Sequence, residues 1–182
     1  MAMSPVKDRQ TPLRARYRAD RETAWVTDHA RTRSADPADP FHAFVEPMDG
    51  CGVEVPVGVH QAIGGPHDAP TPGDLLCASL AACLDSSIRM IANLLGVGIQ
   101  DLEVRVRASV DVRGTLGMDR EVPVGFQEMV CEVRIRVATG TETSLLDKLR
   151  TASEHSCVVL QTLRHPPPVR TVFLEPATTP ES

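Results

Sequence analysis

An α+β fold is what this 182-residue sequence predicts. Three observations predict it. Residues 104–112 and 133–137 alternate valine, alanine or isoleucine with charged or polar residues, the period of two that marks a half-buried strand. Segments beginning at Thr71 and Thr141 carry the apolar spacing of helices. The elements run strands, helix, strands, helix, strand, without the regular βαβ alternation of a parallel sheet.

Taken in order, residues 14–27 can hold a strand around Ala24, Trp25, Val26 and Thr27, and residues 31–42, with Asp36-Pro37 and Asp39-Pro40, read as a loop. Residues 41–46 and 52–59 are two short strands separated by the turn at Met48 to Gly50. A flexible loop through Gly64-Gly65-Pro66 leads to Thr71, which suits an N-cap. Pro72 fits the first helical position, and Asp74 stands where an acid reaches back to the cap. From Leu75 to Leu84 the only polar residue is Ser79, so this helix should be enclosed on all sides, in part by a second subunit. Gly96 and Gly98 stop it. The two alternating strands follow, joined by a long loop over residues 114–125, and each has one face for the core and one for water. The second helix is expected over residues 141–163, with Leu145, Leu146, Leu149, Ala152 and Val159 on its apolar side, ended by Pro166-Pro167-Pro168. Residues 169–174 read as a last strand.

A chain of this length buries a core without covalent staples. One domain is expected over residues 1–182, with residues 1–11 and 176–182 as disordered ends rich in Pro, Thr and Ser. Aromatic residues make up only 3%, so the core must be aliphatic. A net charge of −5 argues against a nucleic-acid partner, which demands a cationic surface. Five cysteines at irregular spacing (51, 77, 83, 131 and 157) suit a reducing compartment better than a disulfide framework. Residues 1–20 hold no apolar core of a signal peptide, and no run of 18 apolar residues marks a membrane span. A cytoplasmic protein with neither a nucleic-acid nor a membrane partner is expected.

The chemistry rests on Cys83 and Cys157, which fall in the two helical segments far apart in sequence. Free cysteine is among the most buried residue types, so packing is the default role of each. A redox pair is the alternative, with one thiolate attacking an oxidant and a second thiol resolving the sulfenic acid as a disulfide. His155, Glu154 and Ser156 stand beside Cys157 and can tune a thiol. Metal binding lacks support: there is no C-x-x-C or H-x-x-x-H, and Cys77 and Cys83 lie about 120° apart around a helix. A Cys-His acyl-transfer site stays open, and it requires a histidine next to Cys83. Nucleotide and serine-hydrolase motifs are missing from the sequence.

Pro72-Gly73-Asp74-Leu75-Leu76, continued by Ala78-Ser79-Leu80-Ala81-Ala82-Cys83, resembles the P-x-E-L-L-x-A-x-A-x-C helix of the OsmC/Ohr superfamily of osmotically inducible and organic-hydroperoxide-resistance proteins. The run from Ala152 to Val159 resembles the second signature of that family, A-x-x-x-C-P-[VI], and the match extends over residues 72–173. The resemblance implies an OsmC-like fold, antiparallel sheets around two central helices in an intertwined homodimer. It also implies thiol-dependent reduction of hydroperoxides in oxidative stress defence. Cys83 would be the peroxidatic thiolate and Cys157 the resolving thiol, recycled by a lipoyl-type dithiol or small thiol, with no bound metal or cofactor.

Two positions depart from the pattern. The family's glutamate after the motif proline, which pairs with an arginine, is Gly73 here, and the acid comes one residue later at Asp74. Asp74 can cap the helix or replace that charge pair, with Arg14, Arg16, Arg18 and Arg21 as candidate partners. The proline after the second cysteine is Val158. The expected activity is therefore a cysteine-based hydroperoxide reductase using Cys83, Cys157 and Asp74. The alternative is a non-catalytic small-molecule-binding protein on the same fold.

Overall fold

Two small antiparallel sheets and five helices make up the computed structural model, which describes residues 4–48 and 50–174. Strands β1 (Ala30–Arg33), β2 (Ala43–Pro47) and β3 (Val55–Val57) form the first sheet in that spatial order. Strands β4 (Ile99–Ser109) and β5 (Glu128–Val137) form the second. Helix α2 (Pro72–Leu95) packs against β4, against α4 (Thr143–Ser156) and against α5 (Val158–Arg164).

The α2 entry follows the sequence logic. The Thr71 side chain accepts from the Asp74 backbone N–H at 3.2 Å, while an Asp74 carboxylate oxygen takes the Thr71 backbone N–H at 2.8 Å. Pro72 occupies the first turn, and Gly96 ends the helix in the left-handed conformation with φ 72°. The loop before Thr71 is held at close quarters. His67 N–H donates to the Val59 carbonyl at 3.1 Å, and a Cβ on Gly65 would meet that same carbonyl oxygen at 2.2 Å, so only glycine fits there.

One stripe of α2, Leu80, Leu84, Ile88 and Ala92, joins Val97, Leu149 and Cys157 in the core. Leu102, Val104 and Val106 of β4 and Met129, Cys131, Ile135 and Val137 of β5 pack on it, the alternation the sequence predicts. The opposite stripe of α2, including Ala78, Ser79, Ala82 and Ser86, is exposed. Full enclosure of this helix is therefore not met within one chain. By length and composition α2, with a hydropathy of 1.5, passes as a membrane span, a property shared by the core helices of soluble proteins. Here its apolar stripe faces β4 and α4.

Several expectations are corrected. Residues 5–11, expected disordered, lie in helix α1 (Pro5–Ala19). Ser4 caps it by accepting from the Lys7 N–H, Pro5 takes the first turn, and Asp8 suits the positive end of the helix dipole. The Asn93 side chain accepts from the Ser4 hydroxyl at 2.7 Å and from the Val6 N–H at 3.2 Å, which ties α1 to the end of α2. Residues 24–27 form no strand. Arg21–Ala24 is a 3-10 turn capped by Asp20, followed by an exposed Trp25. The segment read as a loop contains β1, whose Arg31 and Arg33 side chains pair across the sheet with Glu46 and Glu54.

Strand β4 starts five residues before Val104, and Val112 opens α3 (Val112–Thr115), a short turn capped by Asp111. Residues 169–174 form no strand. Phe173 is 94% exposed and joins no sheet among the described residues. The second helix is broken, because Cys157 has φ −79° and ψ 103° and so ends α4 and begins α5 at once. Residues 176–182, expected to be disordered, lie outside the described residues.

Candidate redox site

Cys157 lies at the break between α4 and α5. Val158 and Val159 open α5, with Cys157 in the extended conformation as its N-cap residue. The Gln161 side-chain amide donates at 2.8 Å to the Glu154 carbonyl, which also takes the Cys157 N–H at 3.4 Å, and so ties α5 to the last turn of α4. Cys157 is 0% exposed and sits against the α2 core. Cys83, on α2, is half-buried and packs on the same cluster.

The two thiols, 74 positions apart by number, are neighbours. Burial pushes the Cys157 thiol above its ordinary pKa, and the adjacent Cys83 thiol adds to that rise. The Leu160 and Val159 N–H groups at the start of α5 oppose it. Cys83, half-buried, is the member of the pair with access to solvent, and Cys157, with no exposed surface, is the sealed member.

Asp74 does not join them. Its carboxylate accepts from the Thr71 backbone N–H and the Thr71 hydroxyl, both at 2.8 Å. Those bonds hold it below the usual carboxylate range. Of the two uses open to it, helix capping is the one its contacts serve. The His60 and His67 rings, tilted by 40° with centroids 4.2 Å apart, lie near it. Among the described residues no ion pair links Asp74 to Arg14, Arg16, Arg18 or Arg21. Arg14 donates to Gln10, and Arg16 lies over the Tyr17 ring. The space at Gly73 is taken, since a Cβ there would stand 2.9 Å from the Phe126 ring.

His42 and His60 are engaged elsewhere. His42 bridges Asp39 at 2.7 Å and Asp68 at 3.0 Å. Among the described residues no histidine hydrogen-bonds to either thiol, so a Cys-His acyl-transfer pair finds no partner for Cys83. Burial also pushes up the thiols of Cys77 and Cys131. Cys51 is exposed and donates to the Pro47 carbonyl at 3.0 Å.

A cavity of about 890 Å³ lies between α2, β5, α4 and α5, lined by Leu84 next to Cys83 in the chain and by Ser153 one turn before Cys157, though by neither of these two cysteines. Leu80, Leu84, Phe126, Cys131, Leu149 and Ser153 are among its walls. Neither Phe126 nor Ser153 was singled out from sequence. For Ser153 a signal existed, because it stands four residues before Cys157 and hence on the same helix face.

The family model described as OsmC-like protein matches residues 65–172, more than half of the chain and inclusive of both thiols. The chain belongs to the OsmC-like family. Solved structures of the family share its fold. The organic hydroperoxide resistance protein OsmC of Legionella pneumophila is 22% identical with a TM-score of 0.57, over 77% of this chain and 90% of that one. An OsmC-like protein of Mycoplasma pneumoniae is 13% identical with a TM-score of 0.60, over 78% and 89%. An organic hydroperoxide resistance protein of Elizabethkingia anophelis is 17% identical with a TM-score of 0.56, over 78% and 91%. No curated protein sequence matches the chain significantly. At these identities the likeness to the solved structures is one of fold.

Proposed function

We propose that this OsmC-like protein takes part in peroxide-stress defence as a cysteine-based, thiol-dependent hydroperoxide reductase of the cytosol. The observation that carries the reading is the meeting of Cys83 with Cys157, one accessible and one sealed. In the reaction the Cys83 thiolate attacks the outer oxygen of the hydroperoxide. The O–O bond breaks, the inner oxygen leaves with a proton as the alcohol, and Cys83 becomes a sulfenic acid. Cys157 then attacks the Cys83 sulfur, water leaves, and a Cys83–Cys157 disulfide remains. An external dithiol, of lipoyl type or a small thiol, takes up the oxidising equivalent. Asp74 acts as a positioning residue that fixes the start of the helix carrying Cys83.

The protein is proposed to work as a homodimer. The uncovered small-residue stripe of α2 and the exposed segment ending at Phe173 and Leu174 give a second copy surfaces to bury. Replacing Cys83 with Ser should abolish dithiol-dependent consumption of cumene hydroperoxide. Full activity in that variant would sink the reading.

A second reading has a specific observation behind it. Phe126 occupies the place where the family's glutamate would project, and the cavity beside it is large. Together these favour an OsmC-fold binding protein without turnover. Under this reading hydroperoxide leaves the thiols reduced over minutes, while cavity ligands still bind.

A further inference from the structure

We infer that the Ser153 hydroxyl is the polar anchor of the cavity, holding the oxygen of a neutral alkyl or aryl hydroperoxide, or of its alcohol, one helical turn along the chain from Cys157. Its role in turnover rests on the reductase reading above, whereas its role in binding does not. Ser153 is 0% exposed, and its Oγ is a buried side-chain oxygen with no hydrogen-bond partner among the described residues. A serine inside a helix ordinarily donates back to the carbonyl four residues earlier. This one does not, and it does not reach the Cys157 sulfur either. A buried hydroxyl left without a partner is costly, and a bound oxygen would remove that cost.

Ser153 lines the cavity together with Leu80, Leu84, Leu149 and Leu160. Leu80 and Leu84 flank Cys83 on α2, and Cys157 follows Ser153 by one helical turn. The organic part of a ligand can therefore lie among the leucines while its oxygen meets Ser153, the one buried hydroxyl of these walls among the described residues. A volume of about 890 Å³ is well within what small-molecule sites use.

The charges on the walls argue for a neutral head rather than a carboxylate. Arg164 is paired with Glu154 at 2.9 Å, and Arg150 with Asp147 at 3.4 Å. Each guanidinium thus already faces a carboxylate, and Glu128 adds negative charge to the same walls.

The test uses the reduced full chain and 2-phenyl-2-propanol, the alcohol formed from cumene hydroperoxide, with calorimetry as the readout. Wild-type protein should bind it, and Ser153→Ala should bind it about five- to tenfold more weakly, the worth of one hydrogen bond. Ser153→Thr, which keeps the hydroxyl, should restore most of the affinity. In turnover Ser153→Ala should raise KM for cumene hydroperoxide by a similar factor, with kcat little changed. Octanoate should bind more weakly than 1-octanol. Equal affinity of wild type and Ser153→Ala for the alcohol, no binding by wild type, or tighter binding of octanoate each overturns the inference. If no peroxide is reduced yet the alcohol still binds through Ser153, the reductase reading fails and the anchor stands.

Discussion

Replacing Asp74 with Ala separates a helix cap from a catalytic acid. The substitution removes two 2.8 Å hydrogen bonds, from the Thr71 backbone N–H and from the Thr71 hydroxyl. It leaves the bond from residue 74's own N–H to the Thr71 side chain, at 3.2 Å, in place. Loss of a capping side chain costs about 1 kcal/mol, within a range of roughly 0.5–2. Asp74 is solvent-exposed, which keeps its charge contribution modest, so we expect about 1 kcal/mol in all. For a domain of this length that is a fall in Tm of about 2–4 °C.

The pH dependence has a fixed sign. The folded-state pKa of Asp74 is lowered, first by the Thr71 backbone N–H, so its contribution is present above the unfolded value of about 3.9 and is lost as pH falls through the folded one. Thermal unfolding followed by circular dichroism at pH 7 and at pH 2.5 checks this. The gap between wild type and Asp74→Ala should be open at pH 7 and largely closed in acid. Hydroperoxide reduction by Asp74→Ala, measured below its Tm, should stay within a few-fold of wild type. A variant as stable as wild type at pH 7 but inactive toward peroxide would refute the capping account and make Asp74 part of the reaction.

Three further outcomes are expected. Gly73→Ala should forgo the roughly 0.5–1 kcal/mol that alanine ordinarily adds in a helix, because the new Cβ must displace the Phe126 ring. A double-mutant cycle with Phe126→Ala should return about that coupling, and strict additivity would mean the ring does not fill the site. With iodoacetamide at pH 7.5, peptide mapping should find Cys51 modified early and Cys157 modified only on unfolding, since Cys157 is fully buried with its thiol pushed up. Early labelling of Cys157 would contradict the sealed resolving thiol. His42 donates from both ring nitrogens to carboxylates, which needs the imidazolium, and its pKa is raised first by Asp39 and then by Asp68. The tie should hold below about pH 6.5 and loosen as pH rises through the raised value. Amide exchange around Asp68 should then quicken beyond the intrinsic base-catalysed rise, and His42→Gln should remove that step.

The sequence was most informative where local chemistry and tertiary packing agree. Thr71, Pro72 and Asp74 announce the start of α2, and the Val/Arg alternation announces β4 and β5, because caps and half-buried strands are written in short-range patterns. The pairing of Cys83 with Cys157 was legible only through family resemblance, since no spacing rule brings together residues so far apart. The break at Cys157 carries neither Gly nor Pro, so a continuous helix was the natural reading of residues 141–163. Helix α1 was hidden by its Arg-rich, weakly apolar composition, and its link to the fold is a polar one through Asn93. Strand β1 has no inward apolar face and is held by cross-strand ion pairs, which leave no hydrophobic period to detect. Phe126 came to the Gly73 site from the loop before β5, a contact that only the folded chain defines.

The central claim is that Cys83 and Cys157 act as one redox pair. Its most direct test is to add one equivalent of cumene hydroperoxide to the fully reduced protein, quench with acid within seconds, and map disulfides by mass spectrometry. The account predicts one stoichiometric Cys83–Cys157 disulfide, with Cys51, Cys77 and Cys131 still reduced. Reduced Cys83 and Cys157, or oxidation confined to Cys51, would contradict it.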